Sequence, residues 1–402
     1  MDPELIGAAR STRAVQNRTD LAARAAEAAD SDGQAPAAHI RLSSGHEGSV
    51  ALPTVAGRSG AANVEVNKYA KDSRLKGAIS SALVAMELDK RGVAYSGSPG
   101  TGLEFRRPDG KLAFFQGGTL SCNTRGANSI CLNKQATKAF LRAKGLPVSR
   151  GDVFSTQEEE DAVRYAGFLG YPVVLRRIAG MGGAGVWPNI QDEAEFKAIW
   201  AARLDPKYRY MVEKGVFGGD YRFLVADDAV IAVLHRQPPS IIGNGVKTIA
   251  ELVAARDTLR LSTNNVVHKR IPVDESLQVL EQKGFSRSYV PANGERILLR
   301  PSANISSGGD GIDRTEVTPV SYKELAIACV QAAPELRVGG VDIIMRDFES
   351  GSIENDCAIL EINHNPLLSM HHFPWIGKPR DVVKTVVGIL LGTDRAEMQV
   401  PW

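Results

Sequence analysis

The run YPVVLRRIAGMGGAGVWPNI (171–190) sets the first limit on the fold. It contains Gly180-x-Gly182-x-x-Gly185, the spacing of a dinucleotide-binding fingerprint. Such a fingerprint has to open into a helix whose N-terminus faces a pyrophosphate. Here the glycines run into Val186, Trp187 and Pro188, and Pro188 forbids a helix from continuing out of the loop. The loop therefore joins two strands. A glycine hairpin of this kind either folds down on a polyphosphate through bare backbone N–H groups or is a plain surface turn. A Walker loop is absent, since GxxxxGK[ST] occurs nowhere in the 402 residues.

The rest of the chain alternates helices and strands without a strict βαβ rhythm. LKGAISSALVAMELDKRGVAYS (75–96) reads as an amphipathic helix stopped by Gly92 and followed by a strand. NKQATKAFLRAKGLPVSRG (133–151) is a helix stopped by Gly145 and Pro147. Asp192 with Glu195, and Thr248 with Glu251, have the spacing of capping boxes. YRYMVEKGV and DYRFLVADDAVIAVLHRQ are strands with a turn at Asp227-Asp228, and RILLRPSANIS, VGGVDIIMRD and CAILEINHN are three more. RDVVKTVVGILLG is a last helix that ends at Gly392. This order fits an α+β (mixed α/β) protein better than a doubly wound parallel sheet.

Composition narrows the class. A hydrophobic fraction of 43% and a charged fraction of 23% are those of an ordinary globular protein. No apolar run approaches the ~18–20 residues of a membrane span. A net charge of +2 gives no reason to expect nucleic acid or an anionic membrane as partner. Cys122, Cys131, Cys329 and Cys357 form no CxxC pair, which suits reduced thiols in a cytoplasm. Residues 1–38 carry few large apolar residues and read as a loosely docked extension. They have no apolar core for a secretory signal, and Asp2, Glu4 and Asp20 have the wrong charge for a transit peptide.

The chemistry concentrates near residues 338–374. VGGVDIIMRD and AILEINHN flank a polar loop, as the arms of an antiparallel hairpin do. Glu361 and Asn363 are two apart and share a strand face, with Asp342 on the partner strand. Two carboxylates and an amide oxygen suit Mg²⁺, and the plainer reading is a polar strand face with ordinary hydrogen bonds. His364, His371 and His372 are the rival ligands, for zinc. They lack HExxH spacing and have no cysteine in register, so packing or substrate contact is their expected use.

Together these motifs resemble the ATP-grasp carboxylate–amine ligases, over roughly residues 76–392. NKxxTKxFLxxxGLPV resembles the nucleotide-binding helix, YPVVLRR…GMGGAGV the strand and glycine lid, and MVEKGVFGGDYRFLV the adenine hinge and ribose strand. LLRPSANISSGGDGIDRT and LEINHNPLLSMHHFPWIGKPR look like the cyanophycin synthetase ligase module and the glutathione-synthetase half of bifunctional glutathione enzymes. The resemblance implies an ATP-grasp fold with an N-terminal α/β region. Its expected divisions are an extension (1–65), a pre-ATP-grasp region (66–131), a lid (132–213) and a catalytic part (214–402).

The resemblance also implies roles. Lys134, Arg176, Gly182 and Gly183 would hold ATP phosphates, Glu213 would sit at the adenine hinge, and Asp220 would take the ribose hydroxyls. Asp342, Glu361 and Asn363 would hold Mg²⁺, with Mn²⁺ as a substitute. Arg300 would neutralise the acyl phosphate, Asn304 and Ser306–Gly309 would form the neighbouring loop, and Arg236 would lie close to phosphate or substrate. Arg176 departs from the family's lysine, Gly243-Asn244-Gly245 from its GDG, and Pro366-Leu367 from its proline–glycine. The implied activity is an ADP-forming ligase that joins a small-molecule carboxylate to an amine, both of amino-acid or peptide type, in a cytoplasmic homo-oligomer. A thiol or ring-closing acceptor, or a non-catalytic ATP-binding regulator, are the alternatives.

Overall fold

The computed structural model describes residues 78–178, 185–263, 265–268, 271–300, 302–353 and 357–393. Helix α1 (Ile79–Lys90) leads into an antiparallel meander of β1 (Tyr95–Ser98), β2 (Gly102–Arg106), β3 (Leu112–Gln116) and β4 (Thr119–Leu120), paired in that order. Strict alternation puts Leu103 and Phe105 of β2, and Ala113 and Phe115 of β3, on one buried face. The amphipathic reading of α1 needs correcting. Ser80 through Ala85, with Glu87 and Leu88, are buried, so the helix is enclosed on nearly all sides.

Two helices follow, α2 (Arg125–Leu132) and α3 (Lys134–Ala143). Asn133 Oδ1 accepts from the backbone N–H of Gln135 and Ala136, both at 3.1 Å, and so fixes Lys134 as the first residue of α3. The next segment holds β5 (Gly151–Phe154), α4 (Glu159–Leu169), β6 (Val173–Arg177), β7 (Val186–Ile190), α5 (Glu193–Arg203) and β8 (Tyr210–Lys214). Its strands form a sheet in the order β5-β8-β6-β7, packed through Val173, Leu175, Phe196, Trp200 and Val212. β6 and β7 pair antiparallel, so the glycine run does join two strands. Gly182 and Gly183 lie outside the described residues.

The last part contains β9 (Gly219–Ala226), β10 (Ala229–Gln237), β11 (Ser240–Ile242), α6 (Ile249–Ser262), α7 (Val273–Gln282), β12 (Arg296–Leu298) and β13 (Asp310–Asp313). It continues with α8 (Val320–Ala332), β14 (Val338–Met345), β15 (Cys357–Asn363), the short α9 (Ser369–His372) and α10 (Val382–Leu391). Five antiparallel strands line up as β13-β10-β9-β14-β15. The expected strand RILLRPSANIS is shorter than its apolar run, because β12 stops at Leu298 ahead of Pro301, which cannot donate to a ladder. Thr248 and Glu251 make a complete capping box. Asp192 caps α5, but the Glu195 carboxylate accepts from Gln191 N rather than closing the box.

The two faces of the five-stranded sheet differ. One carries Tyr221, Phe223, Val225, Val233, Val341, Ile343 and Ile359, and packs with Tyr322, Leu325, Ala326 and Cys329 of α8. The other is apolar only at one end, where Leu224, Ala226, Ala232 and Val338 join α1, α10 and the meander. At its opposite end the period-2 pattern places Asp220, Arg222, Arg236, Asp342, Glu361 and Asn363. Among the described residues no helix is long and apolar enough to cross a membrane.

Candidate active site

The register assembles the polar end of that face. Arg222 of β9 lies opposite Asp342 of β14, and Asp342 lies opposite Glu361 of β15. Directly opposed residues on adjacent strands share a face, so the three side chains form a row. Asp220 faces Arg236 in the next row, and Asn363 lies opposite Gly340. The sequence placed Asp342 near Glu361 only by counting from a turn. The structure makes them direct partners.

Asp342 is buried and doubly held. Arg222 grips both of its oxygens, with Nη2 at 2.8 Å from Oδ2, and Arg236 Nη2 lies 3.1 Å from the same Oδ2. Burial pushes the Asp342 carboxyl upward, but Arg222 and Arg236 together outweigh it and hold the group at about 2. Asp220 accepts from Arg236 Nη2 at 2.6 Å and from Nε at 3.1 Å. Its pKa is raised by burial against the pull of Arg236. Glu361 stays partly open, with 29% of its side chain exposed. Asn363 Nδ2 donates to Glu361 Oε1 at 3.1 Å, and Lys134 Nζ lies 3.7 Å from Oε2. Gly340 leaves the space Arg222 needs, since a Cβ there would lie 3.1 Å from Arg222 Cδ and Nη1.

A second charged group joins the β5-β8-β6-β7 sheet to this row. Glu213 on β8 is buried between Lys138 and Arg176, and Arg176 Nε lies 3.0 Å from its Oε2. Lys138 also donates to Ser149 Oγ at 2.7 Å. Burial lowers the Lys138 pKa to about 8 against the opposing pull of Glu213. Arg176 Nη2 reaches out of its own sheet to the carbonyl of Leu360, 3.3 Å away and next to Glu361. The Glu213 carboxylate, expected at an adenine hinge, thus orients two cations in this structure. Lys138 was missed in the sequence, although its spacing of four from Lys134 puts both on one face of α3.

Other expected residues lie apart from the row. Arg300 pairs with Glu275 of α7, and no contact joins it to Asp342 or Glu361 among the described residues. Asn304 opens the loop that carries Gly308 and Gly309, and its carbonyl accepts from Gly309 N at 3.0 Å. Arg260 of α6 braces that loop by donating to the carbonyls of Gly308 (2.7 Å) and Gly309 (3.1 Å) and to Asp310 (2.5 Å). His268 Nδ1 lies 3.3 Å from the Gly309 carbonyl.

The three histidines of 364–372 do not converge. His372 Nε2 accepts from Val383 N at 3.2 Å. His371 is buried beside Arg222 and Arg236 and is driven down to about 3, mainly by burial. Among the described residues no three His, Cys, Asp or Glu side chains gather as a metal site. Asp342, Glu361 and the amide oxygen of Asn363 are the side chains in the row that could hold a cation. All three offer hard oxygens on one face, and the partial exposure of Glu361 leaves the set accessible. A cation there would share Asp342 with two guanidiniums.

Comparison with known proteins places the chain among sequences and folds it is similar to. Residues 133–214 match the family described as carbamoyl-phosphate synthase L chain, ATP binding domain. The chain is 35% identical over 271 residues to cyanophycin synthetase of Trichormus variabilis, which covers 66% of this chain and 30% of that one. It is 36% identical over 270 residues to the glutathione biosynthesis bifunctional protein GshAB of Mannheimia succiniciproducens, covering 65% and 35%. The chain thus spans about a third of the length of these curated relatives. The solved bifunctional glutathione synthetase from Pasteurella multocida superimposes with a TM-score of 0.62 at 28% identity, over 82% of this chain and 46% of that one. The chain carries the ATP-grasp fold, and about two thirds of it is similar in sequence to the ATP-grasp carboxylate–amine ligases of the cyanophycin-synthetase and bifunctional-glutathione type.

Proposed function

We propose that the chain is an ADP-forming ligase that activates a carboxylate with Mg·ATP and couples it to an amine of amino-acid or small-peptide type. The observation that carries this reading is the row Arg222–Asp342–Glu361 beside Asn363 and Lys134, joined through Arg176 to the buried Lys138–Glu213 pair. A carboxylate is a poor electrophile, because oxide cannot leave. Transfer of the γ-phosphoryl group to it gives an acyl phosphate, which an amine then attacks with loss of phosphate.

Fixed positive charge is what such a transfer needs. Lys134 on the first turn of α3 supplies it at the edge of the row, and Arg176 supplies it where the two sheets meet. Glu213 keeps Arg176 in place, so its charge is already oriented before substrate arrives. Mg²⁺, when held by Asp342, Glu361 and Asn363, would offset charge on phosphate oxygens. Arg236 and Arg222 keep Asp342 ionised. A lid over the site would exclude water from the acyl phosphate, the role the family resemblance gives to Gly182 and Gly183. Asp220 would take the ribose hydroxyls once Arg236 releases it, and Arg300 and Asn304 would close the acid side of the site.

Glu361→Gln is the cleaner test than Asp342→Asn, because Asp342 is locked to two buried guanidiniums and its loss also strains the fold. Glu361→Gln is expected to remove Mg·ATP-dependent ADP release at unchanged melting temperature. Full activity in that variant would contradict the assignment.

A further inference from the structure

A second charged site lies away from the carboxylate row, where α1, the β2–β3 turn and α10 meet. It is a cleft of about 1040 Å³ lined by Lys90, Arg91, Arg106, Arg107 and Lys384 against one carboxylate, Glu87. Two of its guanidiniums lie against the glycines at the C-terminal end of α10. A Cβ at Gly388 would lie 3.8 Å from Arg91 Nη1, and a Cβ at Gly392 would overlap the Arg107 guanidinium. Gly388 lies in the last turn of α10, and Gly392 caps that helix with a left-handed backbone (φ +71°). Any larger residue at 392 would push Arg107 out of the cleft wall.

The arginines are held in place rather than loose. Arg91 is fixed by Glu87 Oε1 at 2.8 Å and by the Lys384 carbonyl at 2.9 Å. Arg106 Nη1 donates to the Gly110 carbonyl at 3.0 Å. Arg107 Nη2 lies 3.4 Å from Asp109 Oδ2, while its Nε is buried with no hydrogen-bond partner among the described residues. Lys90 and Lys384 are exposed at the rim. Among the described residues, and even with Asp109 added to Glu87, five cations face two carboxylates. Guanidiniums oriented in advance lose little freedom on binding, and their planar fork matches phosphate and carboxylate oxygens. The volume exceeds what a single phosphate fills.

We propose that this cleft binds a small soluble anion carrying at least two phosphate or carboxylate groups. None of its residues belongs to the carboxylate row, so the proposal stands whether or not the chain is a ligase.

The test is calorimetric titration of the full chain with inorganic tripolyphosphate and, separately, with citrate, in the presence of a non-hydrolysable ATP analogue. Lys90→Glu/Lys384→Glu alters only exposed rim positions. It is expected to weaken binding at least about tenfold, because reversed charge now faces the anion, with melting temperature and analogue affinity unchanged. Stronger binding of tripolyphosphate assigns the site to phosphates, and stronger binding of citrate assigns it to carboxylates. Absence of binding by both anions in the millimolar range, or equal affinity in the double variant, would overturn the proposal.

Discussion

Lys138 shows how much a single buried charge can matter. It shares Glu213 with Arg176, and all three side chains are nearly excluded from water. Removing one partner of a buried pair leaves a charge without full compensation. Lys138→Met is therefore expected to cost about 3–5 kcal/mol in urea unfolding. A loss below about 1 kcal/mol would mean that Arg176 alone satisfies Glu213. Gly340 makes a similar point about space. Gly340→Ala places a methyl group 3.1 Å from Arg222 and 3.2 Å from Pro366 Cβ, so Arg222 has to shift against Asp342. Overpacking of this kind costs about 1–3 kcal/mol, and ADP release should fall with it. Thermal unfolding and an ADP assay on the same sample check both effects.

At the level of elements, local chemistry and tertiary pairing divide the work. The Thr248–Glu251 box is local, with Thr248 Oγ1 accepting from Glu251 N at 3.3 Å and Glu251 Oε2 accepting from Thr248 N at 2.8 Å. Thr248→Ala is expected to cost about 1 kcal/mol with ADP release unchanged, since Thr248 caps the opposite end of α6 from Arg260, which braces the Asn304–Gly309 loop. Urea midpoint and initial rate together check this. Signals of this local kind were legible in the sequence: caps, the Asp227-Asp228 turn, the strand-to-strand glycine loop and the two-residue spacing of Glu361 and Asn363. What depends on which strand lies beside which was not. Arg222 drew no notice because nothing in GGDYRFLV says that Asp342, 120 residues on, lies opposite it. Arg300 had its role only from the family resemblance, and its pairing with Glu275 of α7 was not legible in the sequence. Helix α1 looked amphipathic because Ser80, Ser81 and Glu87 are polar, yet packing buries them too.

For the whole molecule, two buried histidines (His268 and His371) and two half-buried ones (His235 and His372) tie stability to pH. Burial drives His235, His268 and His372 down to about 4 and His371 to about 3. Each is held below its unfolded value of 6.5, so between about 4 and 6.5 the unfolded chain binds more protons than the folded one. Their contribution is complete above pH 6.5 and is lost as pH falls toward 4, with a slope of about 1.4 kcal/mol per pH unit for each group. The urea midpoint should drop between pH 7 and pH 5. A flat profile there would show that these imidazoles are accessible to protons in the folded state. The central claim concerns chemistry at the Asp342–Glu361 row. Its most direct test is ADP release from Mg·ATP with pooled amino acids offered as both acid and amine. The account predicts release that depends on particular members of the pool and disappears in Glu361→Gln. ADP release that is the same with and without the pool, or that survives in Glu361→Gln, would contradict it.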